Sequence, residues 1–189
     1  MDPASAAGAV PRPLIGEPVA LDLLNTRWVA GSEAYDLLES LDGMRVWLGE
    51  AALAPRFAPD HSALVGLRHV REVLGVLVAE PTNPEATAAL NEVLAHGQVR
   101  RTLSVNGPDE AVEFDDPTWG PAWTAADNYL HLLREAPDRI RRCAHPDCVL
   151  YFFDTSKNGT RRWCSMAGCG NRAKAARYQA RNRRGGRTS

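Results

Sequence analysis

The only four cysteines of the chain, Cys143, Cys148, Cys164 and Cys169, are confined to its last quarter. They form two C-x₄-C pairs with 15 residues between the pairs. Thiolates are soft ligands, and four of them converging at about 2.3 Å make the tetrahedral site of a structural zinc ion. Four sulfurs close the coordination shell, so no position is left for the water that catalytic zinc requires, and the expected Zn²⁺ (one per chain) is structural. His145 lies between the first two cysteines and reads as a surface residue or one that orients a ligand. Two disulfides are the other way to use four cysteines. The chain has no run of 18 apolar residues, and its start, MDPASAAGAVPRP, shows neither a basic leader nor an apolar core segment. Both features predict a cytoplasmic, nucleoid-associated protein whose thiols stay reduced, which favours the metal.

Cations crowd the segment that follows Cys169. Net charge over the whole chain is −1, but residues 140–189 carry +10 and the remainder −11. Such a split predicts an acidic body joined to a tail that faces a polyanion. Plotted at helical spacing, Cys169, Ala173, Ala176 and Ala180 form one stripe of small residues, expected to lie close on the metal unit. Lys174, Arg177, Arg181 and Arg184 form a flanking stripe, and Asn171, Tyr178 and Asn182 face outward. The candidate nucleic-acid contacts are therefore Arg161, Arg162, Asn171, Arg172, Lys174, Arg177, Tyr178 and Arg181. Cations would take phosphates, and an Asn has the donor and acceptor to bridge an adenine edge, so duplex DNA is the expected partner. An RNA-binding module would want more aromatic platforms than Tyr178 and Tyr151. Asp22, Asn25, His69 and Glu72 are the only candidates for a catalytic cleft; with no nucleophile–base spacing and no glycine-rich phosphate loop, no enzyme is expected. Asp22 and Asn25 read instead as anchors of a strand. The opposed charges also predict that the acidic body competes with phosphate for the arginines of the tail.

The elements that position these residues are read from period and punctuation. Residues 1–13, rich in Ala and Pro, read as a flexible lead. EPVALDLLNT (17–26) reads as a buried strand. SEAYDLLESLDGMRVWLGEAAL follows, with Ser32 as N-cap and Gly43 interrupting two short helices. From Asp60 to Glu80, apolar residues recur at helical spacing. NPEATAALNEVLAHG starts with Asn83-Pro84 and stops at Gly97 like a helix. QVRRTLSV and DEAVEFD alternate around Asn106-Gly107 and predict a hairpin whose loop Pro108 lengthens. WTAADNYLHLLREA is helical and ends before Pro137. Within the cysteine unit, VLYFFD reads as a strand, TSKNG as a turn and TRRWC as the returning strand, a treble-clef-like order too poor in apolar residues to fold without its metal. The fold class is α+β: a mainly helical domain with a small antiparallel sheet over 14–137, a zinc finger with a basic helix over 138–184, and a disordered tail over 185–189.

The stretch FFDTSKNGTRRWCSMAGCGNRAKAARYQAR resembles the CGNR zinc-finger family, named for the tetrad at Cys169, Gly170, Asn171 and Arg172. The likeness extends through Asp154, Ser156, Arg161, Arg162, Trp163, Cys164, Ser165, Met166 and Lys174; Lys157 stands where the family carries Arg and keeps the charge. Upstream, PVALDLLNT, Trp47-Leu48 and LRHVREVL resemble the ABATE-type domain that precedes such fingers. The resemblance spans about residues 15 to 184. It implies a stress-responsive transcriptional regulator with a DNA-binding finger and, for the N-terminal domain, a fold and a sensory role alone; the expected partners of that acidic domain are a small-molecule effector, a protein partner or a second copy.

Overall fold

The computed structural model describes residues 10–185, with side chains described through Gln179 and at Arg181. The disordered tail expected over 185–189 thus falls, from residue 186 onward, outside the described residues, as do the side chains of Ala180, Asn182 and Arg184. In chain order the elements are α1 (Val19–Leu24), β1 (Arg27–Ala30), β2 (Glu33–Asp36), α2 (Leu41–Glu50), α3 (His61–Ala79), α4 (Pro84–Ala95), β3 (Gly97–Ser104), β4 (Gly107–Phe114), α5 (Gly120–Glu135), β5 (Ile140–Arg142), β6 (Tyr151–Phe153) and α6 (Asn171–Gly185). Three separate antiparallel pairs, β1–β2, β3–β4 and β5–β6, accompany the helices. The α+β reading holds.

Local chemistry explains the starts of α3 and α4. Asp60 accepts hydrogen bonds from the Ser62 and Ala63 N–H groups at the head of α3, and Asn83 accepts from Ala86 N–H ahead of Pro84 in α4. Leu64, Leu67, Val70, Leu74 and Leu77 bury one face of α3, which packs against α1, α4 and α5. Among the described residues no helix is long and apolar enough to cross a membrane.

Several sequence readings are corrected. EPVALDLLNT is helical, not a strand: Ala20, Leu21, Asp22, Leu23 and Leu24 are all buried, and a short run buried on every side carries no period to tell helix from strand. Ser32 caps nothing; residues 33–36 pair with β1, and Ser40 caps α2 by accepting from Gly43 N–H at 3.1 Å. Gly43 does not interrupt that helix. It lies inside it because a β-carbon there would sit 1.6 Å from the Leu37 carbonyl oxygen. The β3–β4 turn is two residues, Val105-Asn106, closed by Gly107 at φ +112°, and Pro108 stands in β4 opposite Leu103. Nor are the last residues of the lead loose. Arg12 is buried, donating to the Asp22 carboxylate at 2.8 Å and pairing with Glu50, and Leu14, the first residue after the lead, packs on the cysteine unit.

Candidate metal centre

The cysteine turns are set by a hairpin and a helix. Strands β5 and β6 pair with Ile140 opposite Phe153 and Arg142 opposite Tyr151, so Cys143 and Cys148 lie in the loop joining them. The Cys143 N–H donates to the Leu150 carbonyl at 2.9 Å, closing that loop. Cys164 ends the following coil, and Cys169 stands in a wide turn, Met166–Gly170, that runs into α6. Ser165 caps this turn from the Gly168 N–H. A β-carbon at Gly170 would come within 2.8 Å of the Met166 sulfur, the mobile end of an exposed side chain, and 3.4 Å of the Trp163 ring, so the turn is close-packed here.

All four sulfurs lie within 4.8 Å of one another, and all four cysteines are buried and unbridged. Cys148 Sγ is 3.8 Å from Cys164 Sγ, which is 3.5 Å from Cys169 Sγ. Sulfurs at the corners of a tetrahedron around zinc stand about 3.8 Å apart at the usual Zn–S length. The donor set fits one structural Zn²⁺. Without a cation the cluster ionises unevenly: the hydrogen bond from Cys164 holds the Cys148 thiol down to about 5, and that bond with burial pushes Cys164 up. A divalent ion removes this conflict and lets all four bind as thiolates. His145 is outside the cluster; its ring nitrogen accepts from the Asp147 N–H at 3.3 Å.

The predicted returning strand TRRWC is coil. The edge of β6 that it would pair with is already taken. Asn25 Nδ2 donates to the Tyr151 carbonyl at 2.9 Å, Asn25 Oδ1 accepts from Tyr151 N–H at 2.8 Å, and Glu17 Oε2 accepts from Phe153 N–H at 2.9 Å. A side-chain amide thus substitutes for a neighbouring strand. Asn25 anchors a strand, as expected, but in the cysteine unit. The segment 154–164 is held otherwise: Asp154, 1% exposed, accepts from the Ser156 and Arg161 N–H groups, and Arg139 donates to the Asp154 and Ser156 carbonyls. Hydrogen bonding from Ser156 outweighs burial and holds the Asp154 carboxyl below its ordinary value.

The eight candidate nucleic-acid residues divide into two groups. Arg161 stacks over Phe152 at 4.2 Å, donates to the Cys164 and Trp163 carbonyls and reaches Glu17 at 3.3 Å. Arg172 donates to Cys169 Sγ at 3.0 Å. Both are engaged within the protein. Arg162 is exposed over the Trp163 ring at 5.3 Å. Asn171, Lys174, Arg177, Tyr178 and Arg181 are exposed along α6. The alanine stripe does not pack: Ala173 is half-buried and Ala176 exposed, so α6 projects into solvent beyond its first turn. Among the described residues no ion pair engages Lys174, Arg177 or Arg181. Glu17–Arg161 is the one described ion pair joining the acidic body to the tail. No catalytic cleft gathers the remaining candidates. Asp22 is buried against Arg12 and Trp47, and Glu72 pairs with Arg27 at 2.6 Å beside exposed His69.

What sequence reasoning missed is Glu17 and Asn25 as the link between the units, and Arg172 as a thiolate partner. The second was visible, since residues three apart in a helix meet. Residues 17–136 match the family model ABATE, described as "Putative stress-induced transcription regulator", and residues 139–182 match the model described as "CGNR zinc finger". No curated protein matches the chain.

Proposed function

The chain belongs to the ABATE family and carries a CGNR zinc finger; from this premise we propose that it is a transcriptional regulator that binds duplex DNA through α6 and performs no catalysis. One observation carries the reading: Lys174, Arg177 and Arg181 are exposed on a helix that begins at the metal site and leaves the body within a turn. The metal fixes where that helix starts and how it points. The cations take phosphates, and Asn171 and Arg162 flank the approach. Acids elsewhere keep the body off the polyanion, so that contact is confined to the finger. The expected regulation by stress agrees with the family description, and the reading adds a sensory or dimerising role for residues 17–136, the body that holds the finger through Asn25 and Glu17. Tyr178, 61% exposed, supports a second reading, stacking on an unpaired base of single-stranded RNA. Selection from random duplex DNA with zinc-loaded protein tests the proposal. Enrichment of a duplex sequence supports it, and equal competition by single-stranded RNA favours the alternative.

A further inference from the structure

We propose that Arg172 guards the metal ligand Cys169: its guanidinium holds the sulfur and lines the hollow through which reagents reach the cluster, so it serves the metal shell before any phosphate. The inference rests on the zinc site and not on DNA binding. Three observations carry it. Arg172 Nη2 lies 3.0 Å from Cys169 Sγ, and no other side chain besides the cysteines donates to a sulfur among the described residues. Cys169 is three positions earlier, so the helical start itself aims one at the other. A hollow of about 290 Å³ is lined by Cys148, Cys164, Cys169, Ser165 and Arg172.

The chemistry follows from charge. Four thiolates around Zn²⁺ form a dianion, here in a buried setting, and each N–H donor that reaches a sulfur draws electron density from it. A sulfur so held is a weaker nucleophile. Cys169 has this donor from a cationic side chain, whereas the donor outside the thiols that Cys143 has among the described residues is the Cys164 backbone N–H, at 3.4 Å. Arg172 should therefore slow electrophilic attack at one ligand in particular. Lys174 and Arg177, further along α6, touch no sulfur among the described residues, so their loss should leave the cluster's reactivity alone.

The test treats full-length zinc-loaded protein with N-ethylmaleimide and follows released zinc with a chromophoric chelator, while mass spectrometry locates the first adduct. The sulfur adds across the maleimide double bond, an S–C bond forms, water protonates the adjacent carbon, and zinc passes to the chelator. Arg172→Ala should release zinc about tenfold faster than wild type, with the first adduct on Cys169. Arg172→Lys should give a smaller acceleration, and Arg177→Ala none. Should Arg172→Ala fail to fold by circular dichroism, Arg172→Lys and Arg172→Gln decide, each expected between the wild-type rate and tenfold above it. Release at the wild-type rate in every folded variant overturns the proposal. So does faster release with adducts spread evenly over the four cysteines, because that pattern marks general loosening. No DNA enters the assay, so a failure of DNA binding leaves its outcome intact.

Discussion

Asn25 joins two segments 126 residues apart with a single amide, one end donating to Tyr151 and the other accepting from it. Replacement by Ala leaves a part-buried carbonyl and a part-buried N–H of Tyr151 without partners, at up to about 1–3 kcal/mol each. Asn25→Ala should therefore lose about 2–6 kcal/mol in urea unfolding; a loss below about 1 kcal/mol would mean that water or a shifted backbone replaces the amide. A pH effect belongs to Asp36. Burial raises its carboxyl, but hydrogen bonds from Arg71 and Arg27, with the Arg71 charge, outweigh this and hold it below the ordinary value. A depressed folded value contributes stability that is complete above about pH 4 and disappears as pH falls through that lower value. Asp36→Asn should thus be less stable than wild type at pH 7, and the gap should narrow on acidification below pH 4. Thermal melts across pH 2–7 check the sign. Legibility at this scale followed distance along the chain. The metal ligands and the Asn83-Pro84 helix start act through near neighbours and fixed spacings, so the sequence showed them. Asn25 was read as a strand anchor, yet its partner left no trace, because no local period encodes a hydrogen bond across the fold.

Helix α6 presents Lys174, Arg177 and Arg181, with Arg162 beside its start. Arg161 and Arg172, counted from sequence among the phosphate contacts, are engaged with Phe152, Glu17 and Cys169. If the four outer cations each meet a phosphate, the slope of log affinity against log salt should be about −3.6. The double variant Lys174→Ala, Arg177→Ala should flatten it by roughly 2 and weaken all duplexes alike. Binding isotherms at graded salt decide, and loss at one sequence only would assign these residues to base reading. Elements with a full helical period (α3, α4 and α5) were legible, the first two with both ends, whereas α5 starts at Gly120, three residues before the Trp123 read from sequence. Two of the failures share one cause. At residues 17–26 and 160–164 the structure is chosen by what covers the segment: an all-round apolar setting in the first case, and an edge of β6 already taken by side chains in the second. The alanine stripe failed for the opposite reason, since small residues permit close packing without requiring it.

At the scale of the whole molecule, the boundary read near Asp138 is a boundary of composition more than of packing. Ile140, Tyr151 and Phe153 pack with the main core, while Trp28, Leu14 and Tyr35 pack with the cysteines. Chelation should therefore do more than unfold residues from 140 onward, the result that two separate units would give. We expect the thermal midpoint of the body's helical signal to fall when zinc is stripped, by circular dichroism with and without chelator. An unchanged midpoint would restore the picture of independent units. The shared cores also limit how far the acidic body can swing toward the arginines of the finger, since moving it would break the Asn25 and Glu17 contacts first. The amide that stands in for a strand has one more consequence. A sheet edge completed by another chain segment does not need the peptide connection between them. If the backbone is cut within Ala136-Pro137-Asp138, the two pieces should find each other in solution and rebuild the native assembly as a non-covalent complex, with zinc raising their affinity and Asn25→Ala weakening it.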